Sequence, residues 1–102
     1  MLTNGLRSAG LTADEAVSIG EDALIWLAGQ PDALAGFLAA GGLGAGALRS
    51  RAADPEFLGF VLEFLAGSDQ MIVDFAGAAG LDPAAPMRAR AALPGGAEHN
   101  WT

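Results

Sequence analysis

Residues 48–65 read LRSRAADPEFLGFVLEFL, and this stretch decides the fold. Asp54 and Pro55 predict the start of a helix, because the Asp side chain can accept from the free N–H groups of the first turn and Pro suits the first helical position. At ~100° per residue, the apolar side chains that follow cover an arc of roughly 200°, which indicates a helix covered on most sides. This inward set comprises Phe57, Leu58, Phe60, Val61, Leu62, Phe64 and Leu65.

The remaining strip of this helix, which includes Gly59 and Glu63, is expected to face solvent. The helix is expected to run from Pro55 to Ala66. Gly67 would then stop it as a left-handed residue, a conformation that glycine adopts without steric cost.

The chain matches itself at a fixed shift, which indicates an internal duplication. The matched pairs include Trp26 with Phe64, Gly29 with Gly67 (67 − 29 = 38), Phe37 with Phe75, and Gly42 with Gly80. After one inserted residue, LRSRAA of residues 48–53 meets MRARAA of residues 87–92. We therefore predict an all-α, compact bundle of about six helices. It would be built from two similar three-helix units that pack about a pseudo-twofold axis.

Turn and cap residues divide the chain further. We predict a single domain over residues 1–102, with an N-terminal arm over 1–11, a helical core over 12–93 and a tail over 94–102. Besides the central helix, five helices are predicted. The first is capped by Thr12 and Glu15 and runs to about Ala28, and the second runs from Pro31 to the stop at Gly41 and Gly42. The other three are a short helix over Ala45 to Ala52, one from Asp69 to Ala79, and a last one from Pro86 to about Leu93.

Three segments carry a resemblance to a known family: LIWLAGQPDALAGFLAAGGL (24–43), LRSRAADPEFLGFVLEFLAGSD (48–69) and GLDPAAPMRARAALPGG (80–96). Together they resemble domain of unknown function 3572, a family of small bacterial proteins with no established activity, from about Ala13 to Gly96. The resemblance implies a helical fold and supplies no functional residues. The family pattern has an Asp-Pro helix start after the first Gly-Leu, where this chain has Gly44-Ala45-Gly46.

Composition limits the classes of partner. The net charge is −7, with twelve acidic residues, five arginines and no lysine. Nucleic acids and anionic membranes both attract clustered Lys and Arg, so neither is an expected partner. The longest uncharged run, residues 33–48, is shorter than the ~20 apolar residues that a spanning helix needs. No signal peptide is recognised at the N-terminus. We therefore expect a cytoplasmic protein.

Ile25 interrupts the pattern of the first helix, because it projects from the polar side. One interpretation is that the N-terminal arm or the C-terminal tail covers it. The other is that Ile25 is an exposed anchor for a protein partner or for a second copy of the chain.

Four arginines form two Arg-x-Arg pairs, Arg49 with Arg51 and Arg88 with Arg90. Residues two apart on a helix point ~200° apart, so one Arg of each pair would face out and the other would face the helix body. In the structural interpretation these arginines offset the helix dipole and pair with carboxylates. In the functional interpretation one Arg from each unit converges on a carboxylate or phosphate.

No constellation of catalytic residues is recognised. Asp14, Glu21 and Asp22 share a helix face, but the Glu-x-x-His pairs of a bundle metal site do not occur, and His99, the one histidine, lies in the tail. We expect no metal, no cofactor and no enzymatic activity. The leading hypothesis is a non-enzymatic protein-interaction module, with self-association as one form of it. The alternative is a helical bundle that binds a small anionic metabolite.

Overall fold

The computed structural model describes residues 11–94, and this part of the chain consists of helices joined by short turns. No strand occurs among these residues, so the all-α prediction is confirmed. The predicted arm over 1–11 and tail over 94–102 lie outside the described residues, except for Leu11 and Pro94. The described helices are α1 (Ala13–Ala28), α2 (Pro31–Gly41), α3 (Ala45–Ser50), α4 (Pro55–Ala66), α5 (Asp69–Ala79) and α6 (Ala85–Ala92).

The helix starts follow from the side chains that precede them. Thr12 accepts from the backbone N–H of Glu15 at 3.1 Å, and the Glu15 carboxylate accepts from the Thr12 N–H at 2.9 Å, which completes the predicted capping box. Asp54 accepts from the Glu56 N–H at 3.0 Å ahead of α4. Gly44 precedes α3 without a side-chain cap, and α3 still begins at Ala45.

α4 packs against α1, α5 and α6, and half of its residues are buried. α1 also packs against α2, α5 and α6. A methyl group at Gly20 on α1 would lie 2.8 Å from the Leu58 Cβ, so the absent side chain lets α1 and α4 approach closely. The buried core that the sequence predicts around the central helix is therefore present. Among the fully buried side chains are Leu27, Phe37, Leu58, Val61, Leu62, Leu65 and Phe75.

Two positions on α4 differ from the predicted faces. Gly59 is buried rather than solvent-facing, because the chain after α6 crosses it: an added Cβ would lie 3.2 Å from the Pro94 carbonyl oxygen. Phe60 was expected inward and is 37% exposed. Its ring contacts Phe37 and lies close over Gly41, so the side chain is only partly covered. Helical periodicity gives the angle of a residue but not the position of the chain that covers it.

The prediction that Gly67 is left-handed is wrong, since its φ is −70°. The chain turns at once into α5, and the Gly67 and Ser68 N–H groups donate to the Phe64 and Leu65 carbonyls in a tight right-handed turn. The left-handed glycines of residues 11–94 are Gly42 and Gly80, with φ of 63° and 71°.

Two other helix ends differ by one or two residues from the predicted ones. α3 ends at Ser50 instead of Ala52, with a turn leading to Asp54, and α6 begins one residue before Pro86. Within residues 11–94 no single helix is long and apolar enough to cross a bilayer. α1 and α2 meet that criterion only as a pair bent by 114°.

Candidate functional site

Ile25 is the most exposed large apolar side chain of the described residues, with 71% of its surface accessible. It lies near the end of α1, whose inward neighbours Leu24 and Leu27 are buried in the core. The helix that carries Ile25 is therefore fixed by its opposite side, and the outward direction of Ile25 follows from helical geometry.

A first groove opens on one side of Ile25, between α1 and α5, with a volume of about 340 Å³. The aromatic ring of Trp26 packs against Phe75 at its base, with ring centroids 6.0 Å apart. Small side chains on α5 leave the groove open. Its lining comprises Asp22, Ile25, Trp26, Phe75, Ala78 and Ala79.

A second groove, of about 250 Å³, opens on the other side of Ile25, between α1 and the turn that follows α3. Glu21, Leu24, Ile25 and Ala52 line it. Ile25 thus lines both grooves and separates them. We call Ile25 and the linings of these two grooves the Ile25 face.

Each groove carries one carboxylate, Asp22 in the first and Glu21 in the second. These residues lie three and four positions before Ile25, so they occupy the adjacent turn of the same helix face. Both side chains are exposed, and neither carboxylate has a hydrogen bond or ion pair with another residue of 11–94. The Ile25 face therefore combines an apolar centre with an acidic border.

None of the four candidate arginines lines either groove of this face. Arg49, Arg51 and Arg88 are exposed and make no ion pair within residues 11–94, and neither groove is lined by an arginine. Arg51 is adjacent in sequence to Ala52 of the second groove.

Arg90 is the exception, since it is only 8% exposed. Its Nη2 donates to Glu63 Oε1 on α4 at 2.7 Å, and the Glu63 side chain is 52% exposed. The Arg90 Nη1 atom is buried and has no hydrogen-bond partner among the described residues. Arg90 thus faces α4 and Arg88 faces solvent, as ~200° of separation around a helix requires. The same prediction is wrong for Arg49 and Arg51, which are both exposed, because α3 ends at Ser50 and Arg51 lies beyond it.

Sequence reasoning missed the groove residues on α5 and the Glu63 partner of Arg90. In the sequence Phe75 is marked by its match with Phe37, and Ala78 and Ala79 carry no chemical signal. The sequence match pairs Trp26 with Phe64 and Phe37 with Phe75, but it does not by itself predict the Trp26–Phe75 contact between α1 and α5. Ile25 itself is found directly by its break in periodicity.

No group of three His, Asp or Glu side chains within residues 11–94 is arranged to hold a metal ion. Asp14, Glu21 and Asp22 lie on the exposed side of α1. His99 and Trp101 lie outside the described residues, as do the terminal segments that were considered as covers for Ile25.

A family model described as "Protein of unknown function (DUF3572)" matches residues 13–96, which is most of the chain. No curated protein and no solved structure matches it. The resemblance found in the sequence is confirmed over the predicted span. The chain belongs to the DUF3572 family.

Proposed function

We propose that this protein is a non-enzymatic interaction module that binds a protein partner through the Ile25 face. The observation that carries the proposal is the exposure of Ile25, at 71%, between two grooves that expose mainly apolar surface. Apolar patches bordered by polar residues are typical of protein-binding surfaces. The half-buried Trp26 adds an aromatic side chain, a residue type enriched in such surfaces.

The packing beneath the face supports a docking role. Leu24 and Leu27 hold α1 on the core, and the Trp26–Phe75 contact holds it against α5. A partner would then meet a surface that is already ordered. Binding to such a surface loses less conformational entropy than binding to a loose segment.

Binding of a small anionic metabolite is the second candidate function. The specific observation in its favour is the buried Arg90 Nη1 atom, which has no hydrogen-bond partner among residues 11–94. It ranks second because Arg90 already has the Glu63 carboxylate as counter-charge. A thermal-shift screen with phosphate and small carboxylates tests it, and an unchanged unfolding temperature with all of them would exclude it.

The interaction function is tested by pull-down from the source cell with three full-length baits: wild type, Ile25→Lys and Val73→Lys. Val73 is the matched control, since it is 53% exposed on α5 and lies ~160° around that helix from Phe75. We expect a partner that is retained by wild type and Val73→Lys and lost with Ile25→Lys. Recovery of the same proteins with all three baits would refute the proposal.

Self-association is tested separately, by the solution mass of wild type and Ile25→Lys over a range of concentrations. A dimer that dissociates in the Ile25→Lys variant would identify the partner as a second copy. If both proteins are monomers, the proposed partner is a different protein and not a second copy of the chain.

A further inference from the structure

We infer that the Ile25 face binds a basic amphipathic α-helix. The inference rests on the interaction function proposed above and specifies the chemistry of the partner. It depends on three features of the face: two grooves on either side of one apolar ridge, one carboxylate in each groove, and an excess of negative charge over the whole chain.

The shape of the face fits a helix. Ile25 separates the first and second grooves, so a partner has to place apolar side chains on both sides of a central projection. An amphipathic helix presents such a set at positions i, i+3 or i+4, and i+7. Volumes of about 340 and 250 Å³ leave room for large apolar side chains in both grooves.

The charges of the face determine the sign of the charge that is expected on the partner. Asp22 and Glu21 stand in the two grooves without a cation from residues 11–94. The chain has a net charge of −7 and contains no lysine, so its long-range field attracts cationic segments. Lys or Arg residues that flank the apolar positions of a helix would lie opposite these carboxylates. Their main effect would be on association rate and orientation, and each exposed ion pair would add only modestly to affinity.

A second copy of the chain fits this face less well. Pairing two Ile25 faces about a twofold axis would bring the same patch of both copies together. Glu21 and Asp22 of each copy would then enter one interface without a compensating charge from the groove linings. Like charges facing each other across an interface are unfavourable.

Calorimetric titration of the full chain with designed peptides tests the inference. The probe is a helical peptide of roughly 18 residues, about five turns, with Leu on one face and Lys on the other. A peptide with Glu in place of Lys controls for charge, and a scrambled Leu/Lys peptide controls for amphipathicity. We expect the amphipathic Leu/Lys peptide to bind and both controls to bind at least about tenfold more weakly.

Four variants locate the binding. Ile25→Ala removes the apolar ridge without changing charge, and we expect affinity to fall by about tenfold or more, while Val73→Ala leaves it unchanged. Glu21→Gln with Asp22→Asn should weaken binding by roughly three- to tenfold. Asp14→Asn with Asp32→Asn removes the same charge from exposed positions outside both grooves and should have a smaller effect.

Equal binding of the amphipathic and scrambled peptides, equal affinity for Ile25→Ala and wild type, or no binding at all would overturn the inference. These results are distinguishable from a failure of the interaction function. If the pull-down yields a partner that depends on Ile25 while the Leu/Lys peptide fails, the face binds a partner of another chemistry. If the pull-down shows no dependence on Ile25, the interaction function itself fails.

Discussion

The ring of Phe75 on α5 packs against the ring of Trp26 on α1, with the two centroids 6.0 Å apart. The ring of Phe37 on α2 packs edge-on against Phe64 on α4, with centroids 5.3 Å apart. A shift of 38 residues converts each pair into the other. The second helix of each predicted unit therefore contacts the first helix of the other unit, a reciprocal arrangement typical of twofold pairing. The duplication of the whole chain stays a prediction that these contacts support.

The Phe37 ring takes part in one of these contacts and also packs against two further rings. We expect its removal to destabilise the protein strongly. It is fully buried and has ring neighbours at 5.8, 5.2 and 5.3 Å in Phe57, Phe60 and Phe64. Phe37→Ala should lower the free energy of unfolding by about 3–5 kcal/mol, because it removes buried surface and leaves a cavity. Urea denaturation measures the loss.

Phe60→Ala is the control for Phe37→Ala, since Phe60 contacts the same cluster but is 37% exposed. We expect it to lose only about half as much stability, because less of the ring is removed from water in the native state. Equal losses of stability for the two variants would contradict the difference in burial between the Phe37 and Phe60 rings.

Gly20→Ala should destabilise the bundle although alanine favours helices. The new Cβ would lie 2.8 Å from the Leu58 Cβ, so α1 and α4 would have to separate. We expect a loss of about 1–3 kcal/mol from overpacking. Gly77→Ala on α5 has open space around its Cβ and should gain up to about 1 kcal/mol from helix propensity. Thermal unfolding of both variants gives opposite shifts, and a stabilised Gly20→Ala variant would contradict the close approach of the helices.

Gly80 ends α5 in the left-handed region, with φ of 71°, and its Cβ would meet no other atom. The cost of a side chain there is therefore conformational. Gly80→Ala should lose about 1–2 kcal/mol, and Gly80→Asn less, because asparagine enters this region more readily. Chemical denaturation distinguishes the two. A Gly80→Ala variant as stable as wild type would rule out the left-handed cap.

The features that sequence predicts well are those whose cause is local. The bounds of α4, Pro55 and Ala66, follow from the Asp-Pro start and the glycine stop, and the exposed position of Ile25 follows from periodicity. The features that it misses depend on how helices meet. Gly67 is right-handed because α5 begins immediately, and Gly59 is buried because the chain near Pro94 crosses α4. The first groove beside Ile25 exists only once α1 and α5 are packed together, and the second only once the turn after α3 lies beside α1.

The Glu63–Arg90 pair is another such feature, since its members are 27 residues apart on α4 and α6. Their contact depends on the crossing of these helices, which no local pattern encodes. The guanidinium is buried while the carboxylate is half exposed, so the two residues contribute unequally. Loss of the carboxylate leaves a buried cation without this counter-charge, whereas loss of the cation leaves a carboxylate that water can still solvate.

Glu63→Ala should therefore lower the free energy of unfolding by about 1–3 kcal/mol. Arg90→Met should cost less, because it replaces a buried cation, whose Nη1 has no hydrogen-bond partner among residues 11–94, with an apolar side chain of similar length. Urea denaturation of both single variants and of the double variant measures the difference. In the double variant, Arg90→Met should recover part of the stability lost in Glu63→Ala, because the uncompensated buried charge is gone. If Arg90→Met is the more damaging single change, the Arg90 side chain contributes more through its packing than its buried charge costs.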